Sequence, residues 1–420
     1  MIGSRIKYYR INANLTQEEL CKGVCSPSYL SKVENNNMEP SEDILRLLCE
    51  RMKISLNTIR NFDENEIGKK IENWYELLKV NTDKEILNKE YEELNSLFIS
   101  QKDSYQALKF KIFNIKYFIK TEEFAKIDTL LHALTKYQST MSSDLLFFYY
   151  YFSGMGYYVQ SNFCEAEEQL LQSLEKIQSF TKHSDTYDYE ISDIFYYLSL
   201  CYGKLHQTHR TKEFALKSLR IADKILDHLK QIKLYVILGI NEGRTKSYSK
   251  AIEYYEKAIK IAKAINHDSY TGIINHNLGY LYSLQDKSLD AIVYYHKSLH
   301  YIPEYRVNRL IITYFCLARE YKKIKQHKEM KEVIKKARSI LSKDEEYKHH
   351  FNMLELQIND SIFENRQYIK EVIDFFTKKN QWIYVMEYAE ILAISLESNF
   401  QYKEAVKLYK IAHTAQKNLL

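Results

Sequence analysis

Two stretches carry side chains whose types and spacing could do chemistry. Between Ser26 and Lys32 the chain reads Ser-Pro-Ser-Tyr-Leu-Ser-Lys, which at helical spacing places Ser28, Ser31 and Lys32 on one face and Tyr29 and Leu30 on the other. Hydrogen-bonding groups on the outer face of a short helix are what a nucleic-acid-reading element presents. The second stretch is Asn275-His276-Asn277, next to Leu278-Gly279. An Asn amide donates and accepts at once, so Asn277 can pair with a peptide unit whatever its side chain. Machinery of other kinds is missing from the sequence: it has no Gly-rich phosphate loop, no G-x-S-x-G, no H-E-x-x-H and no carboxylate pair at metal spacing, so catalysis is not expected. The six cysteines, Cys21, Cys25, Cys49, Cys164, Cys201 and Cys316, form no C-x-x-C pair and read as small apolar core residues. No metal or cofactor is expected.

The elements that must position these groups follow from composition. A chain of 420 residues is too long for one compact core and favours two domains or a repeat array. Only 10 glycines and 3 prolines punctuate it, too little turn chemistry for a sandwich or barrel, so the expected fold is all-α. Sixty basic against 55 acidic residues leave a formal charge of +5, so any DNA-binding surface must be a local patch. No apolar run approaches a membrane span or a signal peptide, and a cytoplasmic protein is expected.

The first sixty residues read as five short helices. Ile2, Ile6, Tyr9 and Ile11 among Arg5, Lys7 and Arg10 give an amphipathic helix with a basic outer face. Thr16 and Glu19 have capping-box spacing and start a second helix near Gln17, which Gly23 ends. Ser26 as N-cap and Pro27 at the first helical position start a third. Pro40-Ser41 precedes a fourth with an apolar stripe of Ile44, Leu45, Leu47, Leu48 and Met52, and Ile54-Ser55-Leu56 opens a fifth. The stretch from Leu15 to Leu48 resembles the Cro/repressor-type helix-turn-helix family, with Gln17, Glu19, Leu20, Leu30, Ser31 and Glu34 matching its pattern. The resemblance implies that Gln17 anchors a DNA phosphate and that Ser26, Ser28 and Lys32 read base edges. Tyr29 could reach a phosphate or a thymine methyl, or serve as a partly buried packing residue. A domain this small implies a dimer on a two-fold operator.

Beyond residue 65 the sequence repeats. Leu278-Gly279-Tyr280 with Ala291, Tyr295 and Ser298 recurs forty residues earlier as Leu238-Gly239 with Ala251, Tyr255 and Ala258, and again as Leu198, Tyr202, Ala215 and Ser218. Signals continue at Gly154, Ala166 and Ser173, at Ala318, Tyr321 and Ala337, and at Tyr402, Ala405, Tyr409 and Ala412. The pattern resembles the tetratricopeptide repeat, implying about nine repeats in a right-handed superhelix whose concave face is lined by first helices. On that face Asn277 is the leading peptide-binding candidate, with Asn275 and His276 beside it. Equivalent positions hold Tyr151, Met155, Tyr196, Tyr197, Tyr280, Arg244 and Arg319, apolar pockets with cations for a carboxylate.

A helix-turn-helix followed by such an array resembles the RRNPP family of quorum-sensing regulators, of the NprR and PlcR type, with Rap proteins as relatives. Membership implies a cytoplasmic transcriptional regulator whose repeats bind a short, re-imported pheromone peptide that alters homodimer or tetramer assembly and hence binding to double-stranded operator DNA. The alternative is a Rap-like protein that binds or sequesters a response regulator, with or without DNA binding. The expected organisation is 1–62 for the DNA-binding domain, 63–68 for a linker and 69–420 for the sensing and oligomerisation domain. Residues 61–68 are the expected hinge.

Overall fold

The computed structural model describes residues 2–13, 15–35, 37–56, 59, 64–80, 82–97, 105–180, 184–341 and 345–419. Every regular element among them is helical, and the chain divides into two compact units, Met1–Ile225 and Leu226–Leu420.

In the N-terminal region α1 spans Ile2–Asn12, α2 Gln17–Cys21, α3 Pro27–Glu34 and α4 Glu42–Arg51. The capping box forms: the Glu19 amide donates to Thr16 Oγ1 at 3.1 Å and the Thr16 amide to Glu19 Oε2 at 2.7 Å. The turn into α3 runs through Gly23 at φ +72°, a left-handed conformation that costs glycine nothing. Ser26 then caps α3, its Oγ accepting from the Tyr29 amide at 3.1 Å, with Pro27 in the first turn. Ile6, Leu20, Leu30, Val33, Leu45, Leu48, Met52 and Ile59 form the core. Two expectations are corrected here. Leu47 is exposed and Cys49 takes the fourth inward place, because Leu45, Leu48, Cys49 and Met52 hold the i, i+3, i+4, i+7 phase. The basic outer face of α1 reduces to Lys7: Arg10 is bound to Glu34, and Arg5 donates to the Ile59 carbonyl. The expected fifth helix falls largely on 57–58 and 60–63, outside the described residues. Of the expected linker, residue 63 also lies outside them, whereas 64–68 open the helix Glu64–Lys79.

From Glu64 onward the described residues form nine helix pairs, the tetratricopeptide-like arrangement. Three devices recur. Gly154, Gly239 and Gly279 stand where a Cβ would lie 2.6, 2.5 and 2.7 Å from Leu170, Tyr255 and Tyr295, so the second helix of each pair packs directly on the backbone of the first. Ser173, Ser218 and Ser298, all buried, donate across helix pairs to the carbonyls of Phe147, Ser192 and Gly272 at 2.9, 2.7 and 2.9 Å; the first and third of these pairs are those of Gly154 and Gly279. The turns close with a Schellman-type bond, as from the amides of Gln207, Ser247, Lys287 and Gln326 to the carbonyls five residues back. The residue just before each of these, His206, Lys246, Asp286 and Lys325, has φ between 55° and 60°. Turns usually made by glycine are made here without it. Among the described residues no helix is long and apolar enough to cross a membrane.

Candidate DNA-reading helix and peptide groove

The exposed side of α3 carries Ser26, Ser28 and Lys32, the last two one helical turn apart. Ser26 Oγ is already committed as the cap acceptor. Tyr29 is half-buried against the domain core. Gln17 is half-buried, and its Nε2 donates to Glu34 Oε2 at 2.7 Å. Glu34 is the organising group, and its role is missed when the sequence alone is read. Its carboxylate, 1% exposed, also accepts from Arg10 Nε at 2.6 Å and Nη2 at 3.0 Å. One carboxylate therefore ties α1, the start of α2 and the end of α3, fixing the angle at which Ser28 and Lys32 are offered. The signal was present: Leu30, Val33 and Glu34 share one helical face, so the acid falls on the core side. Arg51 likewise donates to the carbonyls of Leu20, at 3.0 Å, and Lys22, closing the C-terminal end of α2.

The expected groove residues fall in both units. In the second unit, Asn277 is half-buried on the helix Asp268–Ser283 and makes no side-chain hydrogen bond among the described residues. Tyr280, one turn on, is 54% exposed. Asn275 is turned inward and buried, its amide donating to the Thr271 carbonyl at 2.8 Å, so it serves the helix and offers nothing to a ligand from outside. His276 Nδ1 lies 3.0 Å from Thr313 Oγ1 and its ring packs on Tyr295, joining two helix pairs. Burial, with Arg309 adding, holds the His276 imidazole down to about 4, so it is neutral at pH 7. Arg244 is exposed. Arg319 faces Glu387, with its guanidinium carbon 5.7 Å from the Phe315 ring centroid.

In the first unit Tyr196 is half-buried with its ring against Tyr197. Tyr151 and Met155 are buried, which corrects their placement on an open groove. Tyr75 and Phe113, from Glu64–Lys79 and Tyr105–Thr121, pack on Phe148 and Phe152 of Ser143–Val159 and seal that helix. Beneath them lies a polar cluster that composition and periodicity do not foretell. Tyr75 Oη donates to Glu190 Oε1 at 2.8 Å, Lys79 Nζ sits 2.9 Å from the same oxygen, and Tyr151 Oη donates to Asp193. Buried Lys116 lies 5.0 Å from the centroid of the Tyr189 ring and 5.5 Å from that of Tyr75. Burial first, then the adjacent carboxylates, push the Tyr75 and Tyr151 phenols well up, so both remain protonated donors.

With this geometry in place, comparison with known proteins identifies the lineage. The sequence model of the helix-turn-helix family matches residues 6–59. Transcriptional activator NprA of Geobacillus stearothermophilus is 30% identical over 413 residues, 96% of this chain and 100% of that protein. Response regulator aspartate phosphatase H of Bacillus subtilis (strain 168) is 23% identical over 368 residues, 85% of this chain and 96% of its own. Among solved structures, the apo form of the quorum sensor NprR from B. thuringiensis superposes with a TM-score of 0.70 at 19% identity, covering 84% of this chain and 99% of that one, which establishes the repeat fold. The match to phosphatase H overturns the expectation against catalysis. A motif search finds proteins that cradle their own phosphates or carry their own nucleophile. Cleavage of an acyl phosphate carried on a partner demands neither, because the reactive group arrives with the partner. Identity to NprA along almost the whole length, joined to a helix-turn-helix followed by paired-helix repeats, means that the chain belongs to the RRNPP family of DNA-binding regulators that respond to signalling peptides.

Proposed function

We propose that residues 1–62 read operator DNA through Ser28 and Lys32, with Gln17 and Ser26 at the phosphate edge and Tyr29 as packing. In this reading residues 69–420 sense a short peptide and assemble the homodimer or tetramer, with 63–68 as the connection. The observation that carries the peptide reading is Asn277: a half-buried amide with no internal partner among the described residues, one turn from exposed Tyr280. A half-buried amide left without a protein partner is an available clamp for a peptide backbone. His276, neutral and tied to Thr313, orients that surface; Tyr280, Arg244 and Arg319 are the further contacts proposed in the second unit, and half-buried Tyr196 is a separate candidate in the first.

Calorimetric titration with short synthetic peptides, drawn from small secreted reading frames beside the gene, tests this reading. Micromolar or tighter binding by the wild type, lost in Asn277→Ala, is expected. Equal binding by both would remove the clamp. On the DNA side, Lys32→Ala is expected to weaken operator binding and to lower its salt slope by about one.

A second reading is favoured by the match to phosphatase H: action on the aspartyl phosphate of a response regulator, alone or beside DNA binding. Following loss of radiolabelled phosphate from a phosphorylated response regulator, with and without the chain, decides it. A decay rate unchanged by stoichiometric protein would eliminate this activity for the regulator tested.

A further inference from the structure

The helix Val307–Lys323 carries Arg319, Lys322 and Lys323 within about one turn. Their electrostatic situations differ. Lys323 has its own partner in buried Glu320, at 2.8 Å. Arg319 Nη2 lies 3.3 and 3.4 Å from the two oxygens of Glu387, which stands 68 residues further along, two helix pairs on. Lys322 is half-buried and makes no ion pair among the described residues. Burial holds its ammonium below the usual range; Glu387 opposes that and Arg319 adds to it. Lys322, one turn from Arg319, thus feels the Glu387 charge without pairing to it.

That carboxylate is loosely held. Arginine–carboxylate forks close to about 2.7–2.9 Å when unconstrained, and here one guanidinium nitrogen straddles both oxygens at longer range. The partners are 40% and 32% exposed, the regime in which an ion pair is worth little and exchanges easily. The Phe315 ring meanwhile limits where the guanidinium can turn. A carboxylate on a free ligand is not tied to a helix and can take up the closer, two-pronged geometry on the guanidinium.

We propose that Arg319 and Lys322 form an anion subsite in which a carboxylate of the bound peptide displaces Glu387, so that Glu387 acts as a resident competitor setting the selectivity for acidic ligands. The proposal rests on the peptide-binding reading above and names the ligand chemistry of its groove. The carboxylate can come from the peptide's C-terminus or from an Asp or Glu side chain. Exchange also releases a tie between helices Val307–Lys323 and Trp382–Ser398, giving the ligand a differential interaction with two states of the second unit.

The test uses the full chain and three fluorescein-labelled heptapeptide pools, randomised at each position: free C-terminus without Asp or Glu, amidated without Asp or Glu, and amidated with both. Anisotropy titrations are expected to show preference for the first or third pool over the second, which also names the carboxylate's source. Glu387→Gln is expected to tighten the preferred pool about five-fold and leave the second unchanged. Arg319→Gln is expected to erase the preference, and Arg319→Lys to keep part of it. If Glu387→Gln leaves the preference unaltered, or Arg319→Gln weakens all three pools equally, the exchange is overturned while the groove stands. If no pool binds the wild type, the groove reading falls and the subsite with it.

Discussion

The repeats before Ile225 and those after it use one helix-pair geometry for opposite ends. In the first set the helices turn their inner faces into a sealed aromatic layer, and the charges there, Lys79, Lys116, Glu190 and Asp193, are satisfied by one another and by tyrosine hydroxyls and rings. In the second set the equivalent faces keep half-buried or exposed polar groups, Asn277, Tyr280, Arg319 and Lys322. Paired helices alone therefore do not make a binding groove. What matters is how neighbouring pairs lay side chains over the inner face, as Tyr75 of Glu64–Lys79 and Phe113 of Tyr105–Thr121 do for Ser143–Val159. A buried ionic cluster adds little net stability over an apolar one but strongly penalises any arrangement that breaks it. It gives the first set one allowed packing.

The sharpest way to break the contrast is Glu190→Ala. Removing the acid leaves the buried Tyr75 hydroxyl without its acceptor and Lys79 with Glu76 alone, at a cost of about 3 kcal/mol. Hydrogen exchange should show the loss in helices of the first unit, with protection after Leu226 unchanged; uniform loss over both units would mean that the two sets do not differ as argued. Next in size, Gly239→Ala or Gly279→Ala drives a methyl into Tyr255 or Tyr295 and is expected to cost about 1–3 kcal/mol by overpacking. Urea denaturation reads it, and a neutral result would mean that the tyrosine ring slides away freely.

Acid sharpens the comparison further. His350 is fully buried between the rings of Phe315 and Phe376, and burial first, then Arg319, holds its imidazole down to about 3. His276 is held down to about 4. A histidine depressed in the folded state takes up protons mainly on unfolding below its ordinary value near 6.5. Its contribution to stability is therefore whole above that value and shrinks as pH falls toward the folded one. Between pH 7 and pH 5 the second unit is expected to lose about 1–2 kcal/mol for each such group. Thermal melts in His350→Phe should lose part of that slope; an identical slope would show that the burial does not carry the effect. The smallest effect is Lys246→Gly, which relieves a left-handed residue at a helix end and should stabilise by up to about 1 kcal/mol. An unchanged urea midpoint would show that this turn carries no strain.

Much of the molecule was legible in advance because its signals are local. Caps at Thr16 and Ser26, Gly23 in the turn, and Leu-Gly against a later aromatic at a fixed interval each act within one helix pair. The candidate site was legible only in part. Asn277 and Asn275 are two residues apart and chemically identical, yet one is open and the other bonded to its own helix, because a helical step of that size turns the side chain to the opposite face. Tyr151 and Met155 sit at groove positions by register, yet both are buried, and Lys116 from the earlier helix Tyr105–Thr121 lies 5.9 Å from the centroid of the Tyr151 ring.

Helix content, repeat period, the helix-turn-helix segment and family were legible in the sequence itself, since each rests on local signals within or between neighbouring helices. Tertiary structure alone decided which inner faces are sealed, which of 37 tyrosines are donors inside a charge cluster, and that Glu34 binds Arg10 and Gln17 while Glu387 binds Arg319. Those pairings join residues 17 to 115 positions apart. No periodicity links such residues; they meet only because packing brings their helices together, and a charge removed from water must then find whatever partner that packing supplies.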